Sequence, residues 1–296
     1  MITFENAAFS WKRMGLMNII KQNIFSSTMA DMKWTDIKRY ADENAIVLLP
    51  MGVIEEHGPH LCLATDIYTA HIYCIVVKQK LEQKGYSAVI APPFYWGICQ
   101  ATRGFIGSFN IRPETAQALL FDIITSLNDF GYKRVFGVNA HNDIEHQIVA
   151  MNAFKEAHEQ LGITACFPYA EFMAYPQFGM LGNESFFYKI NPQEVKISQA
   201  EVCDVHGGDI ETAIINKFYP HLVDRETAKL LPDISLGDKF EAWMFGGELK
   251  LISSQGYLGS PSNYESVDIA SNVEDYAQRI SDAILKRMGE TNKAKE

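Results

Sequence analysis

Residues 45–66 read AIVLLPMGVIEEHGPHLCLATD. The opening AIVLLP is an unbroken apolar run, the pattern of a strand buried on both faces of a parallel sheet. Its continuation, EEHGPHLCLATD, crowds two glutamates, two histidines and an aspartate into twelve residues. From Asp66 to Lys84 the spacing turns helical, and it stops at Gly85, glycine being favoured just past a helix end. A buried strand, a loop dense in acids and imidazoles, and a helix follow one another without a spacer.

The alternation repeats along the chain. SAVIAPP (87–93), RVFGVNA (134–140) and ITACFPYA (163–170) read as further strands. RPETAQALLFDIITSLNDFGY begins a helix at Pro113, places Glu114 in its first turn and stops at Gly131. Residues 143–162, 208–218 and 267–288 are also helical. So is a short amphipathic segment at 32–43, with Trp34, Ile37 and Tyr40 on one stripe. Strands alternating with helices predict an α/β fold, a mainly parallel sheet flanked by helices on both faces. Such sheets bind ligands at the carboxyl ends of their strands. EEHGPH follows the first strand, AHND (140–143) follows RVFGV, and DVHGGDIET (204–212) opens another helix.

Composition bounds the rest. The chain has 296 residues, 47% of them hydrophobic, enough for one large core. Its net charge of −10, with no Lys/Arg stripe, argues against nucleic-acid binding. Five widely spaced cysteines, odd in number and without a CxxC pair, read as reduced thiols. A cytoplasmic setting is expected, and no apolar run reaches the ~18–20 residues that span a membrane. WKRMGLMNII (11–20) places basic residues before an apolar patch, but it contains Asn18 and no small-residue cleavage site. Residues 1–29 read as a variable N-terminal extension, with Met29 an alternative start, and 30–296 as a single domain.

Taken singly, the polar residues have ordinary readings. Asp66, at a helix start, is read equally as an N-cap or as a ligand. His60 reads as a hydrogen-bonded structural histidine. Glu55 and His57, two apart on an extended segment, share a face. The coincidence of carboxylate–imidazole pairs at two strand ends, plus His206 and Glu211, favours a metal site. Mixed Asp/Glu/His sets suit zinc, manganese or iron(II). Two ions sharing a carboxylate would explain the surplus of ligands.

LLPMGVIEEHGPHLCLATD (48–66) resembles the signature of the creatininase (creatinine amidohydrolase) family. The resemblance continues through PPFYWGICQATRGFIGSFNIRPET (92–115), GYKRVFGVNAHND (131–143) and DVHGGDIET, in the same order. It implies a compact three-layer hydrolase with two divalent ions (Zn, Mn or Fe) that cleaves non-peptide C–N amide bonds and assembles as a hexamer. Glu55, His57, Asp66 and His141 fall on the family's metal ligands, Asp66 as the bridging carboxylate. Asp143 and Glu211 both fall on positions that complete the second metal site in different members. His206 falls on the histidine assigned to proton transfer.

Departures bear on the substrate. The common NGHGGN is NAHNDI here (139–144), and Glu56 stands for a usual glutamine. In creatininase proper, tryptophans close over the flat substrate. The corresponding segment here, 167–192, carries Phe and Tyr instead, which read equally as core, subunit-interface or substrate-stacking residues. Creatinine is therefore not the expected substrate; a cyclic amide or a formamide is.

Amide hydrolysis needs a nucleophile at neutral pH, a polarised carbonyl and an acid for the leaving nitrogen. Divalent ions meet the first two needs. His206, or a carboxylate such as Asp143 if no metal claims it, meets the third. Arg103 and Ser108 are candidate substrate contacts, although Gly107 alone would mark a tight turn. Two other readings compete: a phosphoesterase or small-peptide peptidase on the same metals, and a non-catalytic metal-binding relative. Phosphate chemistry would favour an Arg/Lys cluster or a Gly-rich cradle, and neither is evident in the sequence, while a non-catalytic relative would predict lost ligands.

Overall fold

The computed structural model describes residues 23–170, 180–191, 201–237 and 249–293. In chain order the elements are α1 (Trp34–Asp42), β1 (Ile46–Met51), α2 (Thr65–Gln83), β2 (Ala88–Ile90), α3 (Pro113–Asp129) and β3 (Arg134–Asn139). They continue with α4 (Ile144–Leu161), β4 (Thr164–Tyr169), β5 (Phe187–Lys189), α5 (Asp209–Phe218), α6 (Arg225–Leu230), α7 (Leu249–Ile252) and α8 (Ile269–Lys293). The five strands form one sheet in the order β2-β1-β3-β4-β5, and every pairing is parallel.

The pleat sorts side chains into two cores. In β1, Ile46 and Leu48 join the core beneath α2, α5 and α8. Val47, Leu49 and Met51 join the one beneath α1, α3 and α4. β3 divides the same way, with Phe136 and Val138 on one face and Val135 on the other. Each residue of β1 is buried, which is why its sequence shows no polar alternation. Trimming one of them, Leu48→Ala, should cost about 2–5 kcal/mol, since the packed layers cannot close over the hole.

The expected elements appear with ends shifted by one to a few residues. β2 keeps only three residues of the expected seven, because Pro92 and Pro93 have no N–H for the ladder. β5 was not expected; three residues within an aromatic run carry too little pattern. Its neighbourhood also decides part of the aromatic segment. Phe167, Tyr169, Phe186, Phe187 and Tyr188 are buried in this chain's own cores, so they are neither interface nor substrate contacts. Residues 171–179 of that segment lie outside the described residues.

The WKRMGLMNII stretch also lies outside them. The described part of the expected extension is tied to the fold: His71 Nε2 donates to Ser26 O at 2.8 Å, and Ser26, Thr28 and Met29 are buried. Among the described residues, no helix is long and apolar enough to cross a membrane. All five cysteines are free thiols, three of them buried.

Candidate metal centre

The strand ends of β1 and β3 lie side by side, Met51 in register with Asn139, so the loops after them leave from one place. Gly52 follows β1 directly. A Cβ there would sit 2.6 Å from Asp66 Cβ, so glycine lets the start of α2 fold back onto the strand end. The loop between is closed by Glu55 N–H donating to Leu63 O at 3.0 Å. Asp66 does not cap α2. Ala64 holds the cap position without a side-chain bond, and Asp66 turns inward from the first turn.

There Asp66 Oδ1 lies 3.0 Å from His57 Nε2, and Oδ2 lies 3.0 Å from His141 Nδ1. Glu55 Oε1 is also 3.0 Å from His141 Nδ1, and Glu211 Oε2 is 3.9 Å from His57 Nε2. The far nitrogens are committed to main-chain carbonyls. His57 Nδ1–H donates to Glu55 O at 3.1 Å, and His141 Nε2–H to Ile98 O at 2.8 Å. His206 Nε2–H donates to Glu56 O at 2.7 Å, its ring lies 4.3 Å from that of His57, and its Nδ1 is 3.9 Å from Glu55 Oε1. Thr102 Oγ1 donates to Glu55 Oε2, and Gly207 N–H to Glu211 Oε2 at 2.5 Å.

The donors fall into two three-residue groups, Glu55–Asp66–His141 and His57–Asp66–Glu211, with Asp66 common to both. Glu55, His57 and His206 form a third. Glu55, His57, Asp66 and His141 are all buried, and Glu211 is half-buried.

This donor set fits divalent ions. With one N–H spent on a carbonyl, each of His57 and His141 turns its other nitrogen toward carboxylate oxygens at 3.0 Å. Two lone pairs cannot face each other there without a cation between them. In the metal-free protein that cation is a proton. Burial opposes charge on both rings, yet Asp66 and Glu211 beside His57, and Glu55 and Asp66 beside His141, raise both pKa values well above the ordinary imidazole value. Burial likewise opposes ionisation of Asp66 and Glu55, but their histidine neighbours hold both carboxyls below the usual range. A site that holds two extra protons among buried carboxylates is one that divalent ions can occupy in their place.

The other expected residues lie differently. Asp143 is the N-cap of α4: Oδ1 accepts from His146 N at 3.1 Å and Oδ2 from Gln100 N at 2.7 Å. It lines the cleft with Glu55, Asp66, His141, His206 and Glu211, but it belongs to none of the three groups. His60 is buried and bonded through Nε2 to Thr212 Oγ1 at 2.8 Å. Arg103 is exposed and donates to Gln100 Oε1 at 2.9 Å, away from the cleft lining. Ser108 Oγ accepts from Glu56 N at 3.1 Å, a bond that braces the loop behind Glu55.

Some residues around the centre gave no signal in the sequence. Thr102 and the Ile98 carbonyl act on Glu55 and His141 from a loop without regular structure. Asp204 accepts from Ile210 N at 2.9 Å and so caps the first turn of α5, which carries Glu211. An acid six residues ahead of its partner matches no standard capping spacing.

A parallel α/β sheet with acid and imidazole donors gathered at its carboxyl edge defines a class of metal-site α/β proteins. The sequence comparison is more specific. The family model for creatininase, creatinine amidohydrolase, matches residues 30–284, and the chain belongs to that family. The mycofactocin precursor peptide peptidase of Mycobacterium ulcerans (strain Agy99) is 25% identical over 244 residues, 79% of this chain and 84% of that protein. The creatinine amidohydrolase of Pseudomonas putida is 23% identical over 207 residues, 66% of this chain and 73% of that one. A manganese form of creatininase shares the fold, with a TM-score of 0.60 at 19% identity over 88% of this chain and 98% of that one.

Proposed function

We propose that this chain is a metal-dependent amidohydrolase, with up to two divalent ions held by Glu55, His57, Asp66, His141 and Glu211, that cleaves a non-peptide C–N bond in a cyclic amide or formamide. The observation that carries this reading is Asp66, which offers one oxygen to each of two otherwise separate donor groups. The manganese content of a same-fold creatininase supports divalent metal use.

Bound divalent ions supply Lewis-acid polarisation of a carbonyl and a water of lowered pKa. The chain's own residues do the rest. The Ile98 and Glu55 carbonyls fix the tautomers of His141 and His57, so each ring keeps a lone pair aimed inward. The Glu56 carbonyl does the same for His206 and makes Nδ1, on the Glu55 side, the atom through which a proton moves. His206 is then the acid for the leaving nitrogen. Burial and the neighbouring His57 oppose charge on this ring, yet Glu55, Glu56 and Glu211 raise its pKa, which suits a group that carries a proton at neutral pH. Ala101, Ala140 and Val205 provide small apolar walls. Among the described residues no lysine or arginine lines the cleft, which favours neutral amides over phosphoesters.

A peptide substrate is the second reading, favoured by one observation: the peptidase relative matches a larger share of this chain than the creatinine amidohydrolase does. The deciding experiment is a panel of cyclic amides, formamides and short peptides, assayed with the manganese- and zinc-loaded protein. Turnover confined to the non-peptide amides supports the first reading, and turnover confined to peptides replaces it with the second. The family also supports a homo-oligomer, a hexamer, and light scattering that gives a monomer mass at micromolar concentration would remove that part.

A further inference from the structure

His146 lies outside the donor groups, yet the structure makes it the support of one of them. Its ring is buried and meets that of His141 edge-on, with centroids 5.0 Å apart. Nδ1 accepts from Ile98 N–H at 3.4 Å. That bond makes the ring an Nε2–H tautomer, and Nε2 has no hydrogen-bond partner among the described residues. A buried N–H left unpaired is costly, so the ring is held for what its other side does. Gly97 is shaped to the same contact: a Cβ there would lie 2.3 Å from His146 Nδ1, so only glycine lets the chain run this close to the imidazole.

The residue held in this way is the one that orients His141. Ile98 donates its N–H to His146 and receives His141 Nε2–H on its carbonyl at 2.8 Å. Two residues on, Gln100 N–H is taken by Asp143 Oδ2 at 2.7 Å, and Gln100 Nε2 donates to Glu145 Oε2 at 2.5 Å. Segment 98–100 is thus docked onto residues 141–146 at successive points, with His146 anchoring its near end.

We propose that His146 is a positioning residue for the Glu55–Asp66–His141 half of the metal centre. By holding Ile98, it fixes the carbonyl that sets the tautomer and aim of His141. The inference rests on the metal-centre reading above and adds a residue to it that touches neither the donors' carboxylates nor the cleft. Groups that orient a ligating histidine are typically worth 10–100-fold in metal affinity.

The test pairs His146→Leu, which removes the acceptor at similar volume, with His146→Asn, whose amide oxygen replaces Nδ1. Zinc affinities are measured by competition with a chromophoric chelator. The expected result is that His146→Leu weakens one of two ions about 10–100-fold and leaves the other alone, while His146→Asn stays within about threefold of the parent for both. Parent-like binding of both ions by His146→Leu overturns the proposal, as does equal weakening of both or an equal loss in His146→Asn. Should His146→Leu fail to fold, ring-nitrogen NMR of the unsubstituted zinc-loaded protein decides. A His146 with bare Nδ1 and protonated Nε2 is expected, and a protonated Nδ1 overturns the proposal. If the unsubstituted protein binds no zinc, the metal-centre reading fails by itself, and the same NMR measurement on the metal-free protein still decides whether Ile98 is held as described.

Discussion

Oδ1 of Asp66 stands 3.0 Å from Nε2 of His57, and both side chains are sealed from solvent. Through its other oxygen Asp66 reaches His141, so it is the donor shared by the Glu55–Asp66–His141 and His57–Asp66–Glu211 groups. No neighbour can replace it. Asp66→Ala is expected to lose most of the bound metal, whereas His60→Ala, which removes a hydrogen bond to Thr212 and a ring contact with Tyr257 but none of the grouped donors, is expected to retain it. Metal content after gel filtration checks this; equal content in the two variants would contradict a bridging role.

The choice between Asp143 and Glu211, open in the sequence, has a structural answer to test. Glu211 sits in a donor group with His57 and Asp66, while both oxygens of Asp143 accept main-chain N–H groups. Glu211→Ala should therefore bind one ion fewer. Asp143→Ala should keep both and lose stability, a missing N-cap costing about 0.5–2 kcal/mol. Metal counts together with urea denaturation separate the two effects. A lost ion in Asp143→Ala would restore it as a ligand.

Much of the layout could be read before any coordinates. AIVLLP carried the buried strand, and punctuation at Pro113, Gly85 and Gly131 placed helix ends to within a few residues. The donors were legible because the family motif and the strand-end rule pointed to the same side chains. What stayed hidden depends on contacts between distant residues. The Ile98 carbonyl, Thr102 and His146 act through an irregular loop whose path has no periodicity. Asp143 stayed open because an N-cap aspartate and a ligand aspartate look identical in sequence, and only its contacts with His146 N and Gln100 N show the capping role. The aromatic run at 167–188 left core, interface and substrate-stacking readings open in sequence, and most of its described rings fill the two cores, since strands β4 and β5 pass through it.

His206→Ala should retain its metals and lose turnover by about 10²–10⁴-fold, the usual worth of general acid–base catalysis. An activated amide, whose nitrogen leaves without a proton, should recover most of that loss. If activated and ordinary amides slow equally, His206 is not the acid. If metal content falls instead, the Glu55–His57–His206 group holds an ion.

His60 gives a pH prediction. Burial, and then the neighbouring His57, lower its pKa to about 4. A depressed value means the fold prefers the neutral ring. The stabilisation is therefore complete above the ordinary imidazole value of about 6.5 and is lost as pH falls from there toward 4. In metal-stripped protein, the melting temperature of His60→Gln should depend less steeply on pH across that window than the parent's. Parallel curves would show that His60 protonation does not contribute.

The central claim is that Asp66 joins two metal positions. Crystals grown with zinc, measured on both sides of the zinc absorption edge, test it most directly. Two anomalous peaks in each chain are expected, one on each side of the Asp66 carboxylate, the first within reach of Glu55 and His141 and the second of His57 and Glu211. A single peak away from Asp66, or no peak in this cleft at full zinc loading, would contradict it.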